Sequence, residues 1–193
     1  MIETEIKIPF PAGPQHARDL IERHGYAVSE PRILESDQLF DRGAAELRTA
    51  DHLLRLRRSG SRFTVTFKGP AIRERYKSRE EIEFDVSDAS AFTLVLNRIG
   101  YNPGFRYEKY RTKFAAAPGA ITIDETPIGV FLELEGPADW IDSTALRLGF
   151  APSEYSTASY AALYREYLRS HEGAPPNMVF SANNQPDVVR KDT

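Results

Sequence analysis

The chain has 193 residues, 41% hydrophobic and 27% charged, with a net charge of −3. This suits one globular domain, alone or with a tail, and argues against wholesale disorder or a broad nucleic-acid footprint. It contains no Cys, which excludes a disulfide framework and thiolate metal sites. The acidic start lacks the features of a signal peptide and no apolar run reaches transmembrane length, so a cytoplasmic protein is expected.

At a two-residue period, the opening stretch Met1 to Pro9 sends Glu3, Glu5 and Lys7 to one face and Ile2, Thr4, Ile6 and Ile8 to the other. Two neighbouring carboxylates repel, so a merely solvated face would rather alternate their sign. A breaker cluster from Pro9 to Pro14 follows. Gln15 to His24 then reads as a helix capped by Gly25, and Glu35 to Asp41 reads as a strand.

Leu54-Arg55-Leu56-Arg57 and Phe63-Thr64-Val65-Thr66-Phe67-Lys68 alternate strictly and are joined by a short Ser59-Gly60-Ser61 link, which predicts an antiparallel hairpin with Arg55, Arg57 and Lys68 on one face. Ala71 to Lys77 is expected as a basic surface loop, with Arg73, Arg75 and Lys77 in solvent. The strand Glu80 to Val86 points Glu81, Glu83 and Asp85 one way. A helix capped by Ser87 or Asp88 then runs to Gly100.

Beyond Phe105, Lys109, Arg111 and Lys113 share a face; Asp124 opposes Ile121 and Ile123; and Glu133 and Glu135 oppose Leu132 and Leu134. Helices are expected from about Ala138 to Leu148 and from Ser159 to His171, the latter with a packing stripe at Tyr160, Leu163, Tyr164, Tyr167 and Leu168. Each acidic pair, at Glu3/Glu5, Glu81/Glu83 and Glu133/Glu135, precedes a helix that ends in Gly plus an aromatic. That echo points to a repeated strand-then-helix unit in one closed sheet. Residues 1–171 are expected to form the folded domain and 172–193 an extended tail anchored by Met178, Val179 and Phe180.

The apolar faces opposite these charges need cover, which leaves the charged faces turned inward. The expected fold is therefore α+β, an antiparallel barrel of about eight strands with helices on its outside. Such an interior has to be wet, mutually paired and completed by ligands, because each unpaired buried ion costs several kcal/mol. Arginines and lysines suit phosphate oxygens, and paired carboxylates suit Mg²⁺ or Mn²⁺. No Walker-type loop or serine nucleophile motif is present, and His16, His24, His52 and His171 are scattered without metal-ligand spacing.

These segments resemble, in order, the CYTH proteins, also called triphosphate tunnel metalloenzymes. The N-terminal Glu3-x-Glu5-x-Lys7 is followed by Leu-Arg-Leu-Arg, Thr-Phe-Lys-Gly-Pro, Glu-Ile-Glu, Lys-Tyr-Arg, Ile-Asp and Leu-Glu-Leu-Glu-Gly, covering about residues 1–170. The later segments look most like the class IV adenylate cyclase branch. One departure is Leu39, which stands where relatives often carry a tyrosine. The resemblance implies an eight-stranded tunnel, a triphosphate-bearing substrate, and Mg²⁺ or Mn²⁺ as cofactor.

Within that frame, Lys7, Arg55, Arg57, Lys68, Lys109 and Arg111 are the expected substrate-binding residues, with Lys109 also the candidate for proton transfer. Glu3, Glu5, Asp124, Glu133, Glu135, Glu81 and Glu83 are the candidate metal ligands. The expected activity is metal-dependent hydrolysis of an inorganic, nucleoside or organic triphosphate. Conversion of ATP to cyclic AMP and diphosphate is the alternative, and a non-catalytic polyphosphate- or nucleotide-binding module is a third reading. The expected partner is the small-molecule triphosphate, with neither membrane nor double-stranded nucleic acid, and a homodimer is left open.

Overall fold

Strict alternation of charged and apolar residues closes into a cylinder in the computed structural model, which describes residues 2–181. The strands are β1 (Ile2–Pro9), β2 (Ala27–Arg42), β3 (Leu53–Ser59), β4 (Arg62–Lys68), β5 (Ile72–Arg73), β6 (Lys77–Asp85), β7 (Tyr101–Ala116), β8 (Gly119–Thr126) and β9 (Gly129–Glu135). Their order is β1-β9-β8-β7-β2-β3-β4-β6, and β6 pairs back onto β1. Every pairing is antiparallel, so the closed sheet is the expected eight-stranded barrel, with the two-residue β5 added along β6.

Helices cover the outer, apolar parity. Ala17 and Ile21 of α1 (Pro14–Arg23) and Ile141 and Ala145 of α4 (Ala138–Arg147) meet Ile6, Ile8, Phe114, Ile121, Ile123, Leu132 and Leu134, all essentially removed from solvent. After α2 (Glu46–Thr49), α3 (Ala89–Arg98) adds Leu96 to Phe40, Leu56 and Val65. Burying each such side chain contributes roughly 1.5–3 kcal/mol, so the outside of the cylinder is where it is held together. The turn into β8 sits so close to α4 that a Cβ at Gly119 would collide with the Trp140 ring and the Glu135 carbonyl.

α5 (Tyr160–Ser170) begins at Ser159, whose side chain accepts a hydrogen bond from the Ala162 amide. Its Tyr160 and Tyr164 pack with Tyr107, Phe131 and Met178, and so cover the barrel end to which Tyr107 and Phe131 belong. The following segment runs beside β7 where β8 no longer does. The Met178 amide donates to the Arg106 carbonyl at 3.1 Å, and the Glu108 amide to the Met178 carbonyl at 2.8 Å. Met178 is fully buried, and the Phe180 ring lies 5.2 Å from Tyr110. The rest of the expected tail, residues 182–193, lies outside the described residues, as does Met1.

Three expectations need correction. The strand expected at 35–41 extends over sixteen residues, Ala27–Arg42, because register shifts at Val28/Glu30 and Glu30/Ile33 absorb Pro31 without ending the ladder. β7 likewise starts at Tyr101 and carries Pro103 across a shift at Gln38/Phe40. The basic loop ends sooner than expected: Lys77 is the first residue of β6 and is buried against Glu5, not solvated. No helix among the described residues is long and apolar enough to cross a membrane.

Anchoring of the last described residues predicts that Met178→Ala destabilises the protein by about 2–4 kcal/mol, whereas Leu146→Ala, at a position 75% exposed, stays within about 0.5 kcal/mol. Urea unfolding of the two variants beside the wild type checks this.

Candidate functional site

In an antiparallel ladder, residues directly opposite each other share a face, so the register fixes what points inward. The acidic pairs come from three adjacent strands, β9, β1 and β6, with Glu135 opposite Glu5 and Glu133 opposite Lys7. The basic residues come from β7, β3 and β4, and β2 and β8 between or beside them contribute Glu35, Asp37 and Asp124. Thus strands far apart in sequence give an acidic arc facing a basic arc.

On the basic side the ions pair tightly. Arg111 grips Asp124 with two hydrogen bonds of 2.6 Å and reaches Glu133 at 2.9 Å. Lys109, 2% exposed, donates to Asp124 at 2.8 Å. Arg57 donates to Asp37 at 2.8 Å and lies 3.0 Å from Glu35. Arg55 donates to Thr66 at 2.8 Å, yet its Nε has no hydrogen-bond partner although the residue is buried.

Within the acidic arc, Lys7 of β1 bridges Glu5 at 3.1 Å and Glu133 at 3.0 Å. Lys77 adds a second cation on Glu5 at 2.5 Å, Lys68 contacts Glu81, and Glu83, half exposed, accepts from Thr66. The structure thus gathers all the sequence-predicted site residues onto the inner wall, with Glu83 the most exposed of them.

Burial alone would raise the Glu5 and Glu133 carboxyls, but Lys7 with Lys77 on the first, and Lys7 with Arg111 on the second, hold them below the usual range. Burial, reinforced by Arg111, depresses Lys109 against the pull of Asp124. Burial and Arg55 push Lys68 down to about 7. Glu135 behaves oppositely: burial, then Glu3, Glu133 and Glu5, push it up to about 7. Glu3 is raised as well, chiefly by burial.

The side chains of Glu3 and Glu135 make no hydrogen bond or ion pair among the described residues. Two inward carboxylates without an ion pair among the described residues, beside Glu5 and Glu133, form an all-oxygen donor set whose mutual repulsion a hard divalent ion would relieve. The residues therefore fit Mg²⁺ or Mn²⁺ by donor chemistry. Among the described residues no three carboxylates or imidazoles already stand as a cage. A cleft of about 530 Å³ lined by Glu3, Glu135, Lys113 and Ala120 opens beside these carboxylates.

Several inner-wall residues were not singled out from the sequence. Glu35 and Asp37 carry the same two-residue spacing as the other acidic pairs, and Lys77 and Arg79 continue the parity of Glu81 backward, so the signal was there to be read. The helical stripe predicts packing alone for Tyr160. Its hydroxyl donates to Asp124 at 2.6 Å, while its ring lies 5.3 Å from the Lys7 ammonium and 5.2 Å from that of Lys109. A helix pattern shows no such reach. Leu39, opposite Arg55, packs near Tyr107 and supplies no hydroxyl there.

A family model for the CYTH domain matches residues 1–143. A Methanocaldococcus jannaschii protein named as a candidate adenylate cyclase is 30% identical over 136 residues, 70% of this chain and 77% of that protein. Among solved structures, a Pyrococcus horikoshii protein superposes with a TM-score of 0.71 at 23% identity, covering 86% of this chain and 99% of the other. A Hippeastrum candidate adenylyl cyclase, described as revealing a dominant triphosphatase activity, gives 0.62 at 17% identity, covering 86% and 95%. These two likenesses establish the fold.

The raised Glu135 carboxyl sets a pH dependence in the metal-free protein. Its folded pKa lies above its unfolded one, so the folded state is penalised as pH rises through about 7 and not below the unfolded value near 4.5. Glu135→Gln should therefore match the wild type at pH 4.5 and stabilise it at pH 8 by roughly 1–2 kcal/mol, after allowance for solvent screening. Thermal melts in EDTA at both pH values check this.

Proposed function

The chain belongs to the CYTH domain family, and from that membership and its charged tunnel we propose a divalent-metal-dependent phosphohydrolase that cleaves a triphosphate chain. The observation that carries this is the pair of facing arcs inside one closed barrel, with Arg55 Nε buried without a hydrogen bond, 3.4 Å from Asp37, on the basic side and the Glu3 and Glu135 carboxylates without an ion pair among the described residues on the acidic side. A triphosphate with its cation answers both vacancies of charge at once.

In this reading Lys7, Arg55, Arg57, Lys68 and Arg111 bind the phosphate oxygens and offset the charge that develops in phosphoryl transfer. Their ion pairs with Asp37, Glu35 and Asp124 hold the guanidinium groups in place before substrate arrives, which lowers the ordering cost of binding. Glu3, Glu5, Glu133 and Glu135 hold Mg²⁺ or Mn²⁺, with Asp124, Glu81 and Glu83 as further ligands or as supports for the bases. When bound, such an ion neutralises phosphate charge as a Lewis acid.

Lys109 is the proton-transfer group, since its depressed basicity allows a neutral amine near the phosphates. Tyr160 and Asp124 keep that lysine oriented. The cysteine-free composition suits the cytoplasm.

Hydrolysis is favoured over cyclisation because water needs fewer special contacts than a ribose 3′-oxygen aligned on the α-phosphate. The dominant triphosphatase activity described for the Hippeastrum protein supports the same order. The M. jannaschii relative's name keeps cyclisation as the second reading.

Incubation of the pure protein with inorganic triphosphate and with ATP, each with Mg²⁺ or Mn²⁺, should release orthophosphate. Cyclic AMP plus diphosphate would establish the second reading, and saturable binding with no turnover under either metal would establish a binding module. Glu3→Gln should weaken Mn²⁺ binding at least about tenfold, without lowering the melting midpoint, because burial and the neighbouring carboxylates outweigh the pull of Lys68 on that carboxylate. Electron paramagnetic resonance of free Mn²⁺ measures this.

A further inference from the structure

One inner-wall hydroxyl has no hydrogen-bond partner among the described residues. Thr122 on β8 lies opposite Glu133 of β9 on one side and Lys113 of β7 on the other, and Glu133 in turn lies opposite Lys7. It shares the inward parity of Asp124, two residues on along the same strand. The residue is 6% exposed, and its Oγ1 is buried without a hydrogen-bond partner. Ala120, Glu135 and Lys113, its neighbours toward the β7–β8 turn, line the open cleft.

Three other buried threonines of the barrel are committed. Thr66 bonds Arg55 and Glu83, Thr64 donates to Asp85, and Thr126 donates to the Gly129 carbonyl. A buried hydroxyl left unpaired is destabilising, and valine, of the same shape and better suited to a strand, would avoid that penalty. Glu133 directly opposite is held by Lys7 and Arg111, and the Thr122 hydroxyl makes no hydrogen bond to it.

The row across the wall thus reads cation, carboxylate, unpaired hydroxyl, cation. Only an acceptor brought in from the lumen completes it. Lys113 on the far side, whose ion pair among the described residues is with the exposed Glu30 at 3.2 Å, favours an anion in that place.

We infer that Thr122 is a substrate-contacting residue whose hydroxyl donates to a non-bridging phosphate oxygen, at the seam between the basic β7 and the acidic β9. The assignment rests on the triphosphate reading given above. It makes Thr122 a determinant of anion affinity and not a ligand of the cation.

Calorimetric titration of metal-free protein in EDTA with inorganic triphosphate, and separately of EDTA-free protein with Mn²⁺ alone, tests it on the wild type, Thr122→Val and Thr122→Ser. Triphosphate affinity should fall about tenfold or more in Thr122→Val, since a hydrogen bond to a charged group is lost. It should stay within about twofold in Thr122→Ser, and Mn²⁺ affinity should be unchanged in both. Thr122→Ala carries the same test should the valine variant melt early.

Equal triphosphate affinity in wild type and both hydroxyl-free variants overturns the assignment while leaving the functional reading intact. Loss of Mn²⁺ affinity with triphosphate binding retained also overturns it, by moving the hydroxyl to the cation. A wild type that binds no triphosphate overturns the functional reading and the assignment together.

Discussion

A closed barrel cannot bury like charges side by side unless something of opposite sign reaches them, and this constraint organises the whole molecule. Lys109, Asp124 and Asp37 are almost or fully removed from solvent, and each is tied to a partner of opposite charge. Desolvating an ion costs several kcal/mol even after relaxation, so these pairs do little to stabilise the fold. Stability comes instead from the outer layer, where α1 and α4 seal Ile6, Ile8, Ile121, Leu132 and Leu134. The inner layer fixes where charge sits, and the outer layer makes that arrangement affordable.

Inside the barrel, pairing is incomplete in a patterned way. Among the described residues, Arg55 Nε on the basic arc is buried without a hydrogen bond though 3.4 Å from Asp37, and on the acidic arc Glu5 and Glu133 are ion-paired whereas Glu3 and Glu135 are not. Thr122 lies at the seam between them. An anion alone would leave the unpaired carboxylates repelling one another, and a cation alone would leave the arginine and the hydroxyl unanswered. A linked polyanion carrying a hard cation satisfies both, which is why the functional reading concerns phosphates and metal together.

Much of this was legible in the sequence, because the period-two signal survives wherever one face is charged and the other apolar. Glu3/Glu5, Arg55/Arg57, Lys109/Arg111 and Glu133/Glu135 announce both strand and orientation, and their apolar partners announce the helices outside. The signal failed where local chemistry masked it. Pro31 and Pro103 look like strand breakers but are absorbed by register shifts, so β2 and β7 read as shorter than they are. Lys77 looked solvated because its neighbours Arg73 and Arg75 are, and only the pairing of β6 with β1 shows it facing Glu5. The reach of Tyr160 into the barrel belongs to tertiary structure, since a helical stripe gives a packing face and not what its hydroxyl touches. Which pairs would remain unsatisfied depends on side-chain distances that no periodicity encodes.

The central claim is that the barrel interior, and no outer surface, is the seat of an anion and its cation. Crystals of the protein soaked with inorganic triphosphate and Mn²⁺ test it most directly, with anomalous scattering used to locate the metal. The account predicts phosphate density against Arg55, Arg57 and Arg111 and a manganese peak among Glu3, Glu5, Glu133 and Glu135. Density confined to the outside of the barrel, with the inner ion pairs undisturbed, would contradict it.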